Sequence, residues 1–100
     1  MMRPAFTAKT PDEIEDYGVN WDQVLKEGVT ISSSSWAVPA GITRVTDNID
    51  GQSTVIRLSG GTAGEVYTLV NSIVTSAGET LHEAVELRVR TAAQIAGITA

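Results

Sequence analysis

One hundred residues make one domain, able to bury roughly two thirds of its unfolded surface but with no room for a deep internal cavity. The chain has no cysteine, which excludes structural disulfides and thiolate metal sites, and its 42% hydrophobic content excludes compositional disorder. The formal charge of −5 argues against nucleic acid and anionic membranes; no apolar run approaches the ~18 residues of a membrane helix and no signal peptide opens the chain, so a soluble protein made in a reducing cytoplasm is expected.

Residues 1–9 lack any period and carry Pro4, so they read as an irregular arm. Phe6 is its one large apolar side chain and, with Arg3 and Pro4, the candidate contact to a neighbouring subunit. Thr10, Pro11 and Glu13 form a capping box with proline at the first helical position, which predicts a short helical turn. Tyr17, Val19 and Trp21 then alternate, which predicts a strand over about 16–22. One further helical turn is expected near 22–27, ending at Gly28, with Val24 and Leu25 closing one end of the core.

Residues 29–38 are β-rich, but their apolar positions change parity, with Val29 and Ile31 odd and Trp36 and Val38 even. Side chains alternate with period two along a strand, so a bulge or a break is expected near Ser33–Ser35. Ile42–Asn48 and Gln52–Leu58 flank Asp50-Gly51, a hairpin signal, because a type I′ turn needs positive φ at both central positions. Gly60, Gly61 and Gly64 belong to the next turn, which reads as a crossing between sheets rather than a phosphate loop, since it has no lysine and no helix follows. Val66–Val74 is the longest strand, and in the last strand, Leu81–Val89, the side chains of Leu81, Val85, Leu87 and Val89 oppose those of His82, Glu86, Arg88 and Arg90, which predicts one buried face and one wet face.

About seven strands with regular turns predict an all-β fold, an immunoglobulin-like β-sandwich over residues 10–91 followed by a tail over 92–100. Tyr67 opens the middle strand after a glycine turn, where such sandwiches use a tyrosine hydroxyl to tie down the corner. Trp21 and Trp36 are each expected to be core pillars, with an interface anchor as the alternative. Trp21, Tyr67, Gly60, Gly61 and Gly64 are thus the expected fold determinants.

The chemistry-bearing residues point to no reaction. His82 is the sole histidine, too little for the usual zinc sites, and no serine sits in a nucleophile elbow. Asp12, Glu13, Glu15, Asp16 and Asp22 cluster in sequence, but strand alternation divides them between faces. Asp47–Gly51 misses the calcium-loop spacing by one residue. No enzyme, cofactor or metal is expected.

Four ordered blocks, TPDEIEDYGVNW (10–21), ISSSSWAVPAGI (31–42), LSGGTAGEVYTLVNSIVTSAG (58–78) and VELRVR (85–90), resemble a family of small tailed-phage and prophage proteins. The sequence departs from that pattern at Thr10 and Asn20, where the family often has Asp. The resemblance implies an immunoglobulin-like virion structural protein, made in the bacterial host and localised to the virion. The expectation drawn from it is a capsid decoration or cementing protein on the outer head surface, bound to the major capsid protein or other virion subunits. A homo-oligomer is expected, as a trimer at local threefold positions. The alternative is a neck, collar or tail module, with Trp36 beside the serine run as a patch for cell-surface glycans.

Overall fold

The computed structural model describes residues 6–95. Six strands follow in chain order: β1 (Glu15–Asn20), β2 (Ile31–Ala37), β3 (Ile42–Asp50), β4 (Ser53–Gly60), β5 (Val66–Thr75) and β6 (Thr80–Arg88), with a short helix α1 (Ala92–Ile95) after them. They form two antiparallel three-stranded sheets with orders β1-β4-β3 and β2-β5-β6. The all-β, sandwich-like expectation therefore holds, with six strands instead of about seven. The serine run accounts for the difference: the register shift lies between Ile31 and Ser33, and this bulge absorbs the change of parity while β2 continues through it as one strand.

The helical turn expected near 22–27 is present as a single hydrogen-bonded turn. Both Val24 and Leu25 donate their amides to the Trp21 carbonyl, and the left-handed Gly28 (φ 79°) then turns the chain toward β2. The four-residue α1 lies instead in the segment read as a tail. Of the capping box before β1, the Glu13 half forms, while Thr10 Oγ1 donates to Asp12 Oδ1 instead. The Thr10 amide donates to Glu13 Oε1 at 2.7 Å and the Glu13 amide donates to the Thr10 carbonyl at 3.2 Å, but the chain enters a strand rather than a helix. Tyr17 is inward on that strand and supplies apolar area that only the sheet can bury.

The core lies between the sheets. Tyr17, Ile42, Ile56 and Leu58 come from the first, and Tyr67, Leu69 and Leu87 come from the second. Each fully buried leucine contributes on the order of 1.5–3 kcal/mol. A second cluster of Trp21, Ile31 and Ile73, backed by Val19, Leu25 and Leu81, closes the other end.

Candidate assembly surfaces

Two polar groups inside the sandwich set its rigidity. Asn71, on the central strand β5, is completely buried. Its Oδ1 accepts from Trp21 Nε1 at 3.0 Å and Thr54 Oγ1 at 2.5 Å, and its Nδ2 donates to Ser34 Oγ at 2.9 Å and the Ser35 carbonyl at 3.0 Å. All four bonding positions of the amide are filled, so this hub fixes β4, β2 and the Trp21 corner against β5. Lys9 is also fully buried, and its Nζ donates to the carbonyls of Thr10 at 2.6 Å and Gly60 at 2.5 Å. Burial lowers its pKa below 10.5, opposed by the nearby Glu13, Asp12 and Glu15 carboxylates. The sequence does not distinguish either residue from a surface polar one, because the Gly60 carbonyl that Lys9 bonds and all the partners of Asn71 lie far away along the chain.

The residues named from the sequence take the following places. Trp21 is buried at 3% exposure. The Tyr67 hydroxyl accepts from the Thr62 amide at 2.9 Å and so pins the turn between the sheets. Gly60, Gly61 and Gly64 all have positive φ (76°, 97° and 93°). At Gly61 a Cβ would also stand 2.7 Å from Val89 Cγ2, so glycine is required there twice over. Arg3 and Pro4 lie outside the described residues. Phe6 stacks on Tyr17 with ring centroids 4.6 Å apart and tilts toward Trp36 at 6.3 Å. Phe6 and Trp36 are both half-buried and pack against the core of their own chain, and the serine beside Trp36 that faces inward, Ser34, is engaged by Asn71. The Trp36 indole nitrogen and the Tyr17 hydroxyl are buried without a partner. Burial, helped by Glu15 and Glu13, pushes the Tyr17 pKa up to about 12.

Each sheet edge carries a device against strand addition. Residues 6–9 run along β6: the Phe6 amide donates to the Glu86 carbonyl at 2.8 Å, Lys9 bridges Val89 in parallel, and the Arg90 amide donates to the Lys9 carbonyl at 2.9 Å. On β3 a bulge between Arg44 and Thr46 accompanies an ion pair of 2.5 Å from Arg44 to Asp47. The bulge of β2 lies near one end, and β1 exposes Glu15 and Asp16. Arg57 on β4 holds Asp16 bidentately, at 2.7 and 3.1 Å, which keeps that carboxyl below its ordinary pKa.

The acidic segment before β1 serves local structure. Hydrogen bonds from Thr10 lower the pKa of both Asp12 and Glu13, so these carboxylates pin the turn. Among the described residues no group of three or more His, Cys, Asp or Glu is placed to hold a metal ion, and no helix is long and apolar enough to cross a membrane. His82 Nδ1 lies 2.7 Å from Ser72 Oγ, a pair that strand register creates and sequence spacing hides, but it stands on an open sheet face. A cavity of about 260 Å3 between β1 and β6 is lined by Phe6, Val19, Trp21, Val24 and Glu83. It is smaller than the roughly 300–1,000 Å3 of most ligand pockets.

The chain resembles in fold a 2,6-sialyltransferase of Photobacterium sp. JT-ISH-224, solved with CMP and lactose, with a TM-score of 0.50 and 17% identity over 89% of this chain. The chain spans 18% of that structure's length, and the likeness is one of fold alone. No curated protein matches. Residues 9–88 match the family described as "Podophage GP4 fiber-tail adaptor protein gp77"; the chain belongs to that family and is a bacteriophage virion structural protein.

Proposed function

We propose that the chain is a non-enzymatic adaptor of the phage tail, joining a fibre to the tail through non-covalent contacts of a rigid sandwich. The observation that carries this reading is the family match over residues 9–88. The same match supports a tail module over the outer-head decoration expected from the sequence, and other tail components over the major capsid protein as partners. We further read the sandwich as immunoglobulin-like. The Tyr67 hydroxyl bond to the Thr62 amide at the crossing from β4 to β5 supports this, since such folds tie a corner in that way. Rigidity suits an adaptor, because contacts made by a preorganised surface lose little ordering entropy on binding.

The test is the composition and architecture of purified virions. The expected result is a copy number in step with the tail proteins, together with loss of fibres from particles assembled without this chain. A copy number on the order of that of the major capsid protein, with fibres retained in its absence, would overturn the adaptor reading in favour of the head surface.

A further inference from the structure

The outward face of the β2-β5-β6 sheet breaks the in–out alternation expected of a sheet with one wet side. Val66, Val70 and Val74 stand at every second outward position of the central strand β5, and Val66 and Val74 are 45% and 38% exposed. Strand pairing sets Val70 between Ala37 of β2 and Ala84 of β6, so the middle row of the face is apolar across all three strands. Strand β5 thus has apolar side chains on both of its faces, the pattern of a strand covered on both sides. Within the strands, the charged positions of this face are Glu86 and Arg88, adjacent outward residues of β6 whose formal charges cancel, and Arg90 follows just past the end of β6, so the face holds no excess of acid. The chain as a whole carries −5, so its excess of acid lies elsewhere.

We propose that this face packs against the same face of a second copy of the chain. Stacked sheets stand ~10 Å apart, about one Debye length at physiological salt, so two acidic copies meet at that distance only through surfaces without an excess of acid. A different partner of an acidic protein would be selected through its charged surfaces, which lie on the other sheet and the turns. The guarded edges leave this face as the broad surface open to a symmetric contact. Three strands at ~4.8 Å spacing and the length of β5 give a footprint of roughly 500 Å2 per copy. The total of about 1,000 Å2 is at the lower limit for a specific interface, so the free dimer is weak and forms with rising concentration. This inference goes beyond the adaptor reading and does not depend on where in the virion the chain sits.

Sedimentation equilibrium of the purified chain tests it. The wild type is expected to rise from monomer toward dimer mass as concentration approaches about 1 mM. Val70→Glu places two carboxylates at the symmetric contact and is expected to weaken association by about tenfold or more, with an unchanged circular dichroism spectrum. Val55→Glu, outward on β4, is expected to leave association intact. As the chain lacks cysteine, Val70→Cys provides a second readout that needs no disruptive charge: a bifunctional maleimide with a span of about 10 Å, the spacing of stacked sheets, is expected to crosslink two copies of it, while Val55→Cys is not crosslinked. A wild type that stays monomeric throughout overturns the proposal and leaves the face to another virion subunit. Association lost in Val55→Glu but kept in Val70→Glu overturns it as well.

Discussion

Strands β4 and β5 are the centres of their two sheets, and inside the sandwich they are alike. Thr54, Ile56 and Leu58 point inward from β4, and Tyr67, Leu69, Asn71 and Ile73 point inward from β5, all of them buried. Outside they differ. β4 presents Ser53, Val55, Arg57 and Ser59, with Arg57 engaged by Asp16 of β1, whereas β5 presents a valine at every second outward position. Since folding needs only the inner pattern, the outer pattern is free to be set by what the protein assembles with. The lesson is that the apolar area of β5 exceeds what this sandwich needs for its own core, and the excess sits on the face that holds no excess of acid.

The largest effects should come from the inner positions and should be the same in both sheets. Leu58→Ala on β4 and Leu69→Ala on β5 are each expected to lower stability by about 2–5 kcal/mol in denaturant unfolding, because both side chains are fully buried and their loss leaves a cavity. A loss confined to one of the two would break the comparison, since it would mean that one sheet does not share the core.

Next come the buried polar groups, where the sheets differ. Asn71→Ala removes the hub of the β5 sheet, leaves the buried Thr54 hydroxyl without its acceptor and leaves Trp21 Nε1 only its longer bond to Thr54 Oγ1 at 3.3 Å, so it is expected to cost about 1–3 kcal/mol in the same assay. Tyr17 of β1 has a hydroxyl with no partner, and Tyr17→Phe is therefore expected to be neutral or slightly stabilising at pH 7. Its effect should instead appear in alkali. The folded state keeps the Tyr17 proton to about pH 12, while an unperturbed tyrosine ionises near 10.0. Its contribution is fully present below pH 10 and is lost as pH rises toward 12, because there the unfolded chain releases a proton that the folded chain retains. Unfolding curves recorded across that window should show a shallower decline for Tyr17→Phe than for the wild type. An equal decline in both would mean that the hydroxyl is not isolated as the structure has it.

Much of the fold was legible because its signals are local. Alternation over Tyr17, Val19 and Trp21, the Asp50-Gly51 turn and the opposed faces of β6 each depend on neighbours a few residues apart. The serine run was legible only as a break in parity. Whether it ends a strand or bulges within one depends on the pairing of Ile31 with Thr75 and of Ser33 with Val74, which no local pattern contains. The candidate surfaces were less legible still. Phe6 reads in sequence as a contact to a neighbouring subunit, and the sequence does not show that its ring lies on Tyr17 of its own chain, because residues 6–9 pair with an edge some eighty residues away in the chain.

By itself the sequence determined the class of the molecule. Period-two apolar alternation, glycine at the turns that need positive φ and the absence of cysteine dictate an all-β domain held by packing, because each of these acts through adjacent residues. The tertiary structure alone decided which polar residues are buried and what each face presents. Asn71 is interior because distant segments supply its partners, Lys9 finds one of its two acceptors, the Gly60 carbonyl, some fifty residues along the chain, and the row Ala37–Val70–Ala84 exists only once three separate strands come into register. Side-chain direction is a local property of a strand, but the chemistry of a surface is a sum over neighbours that only pairing brings together.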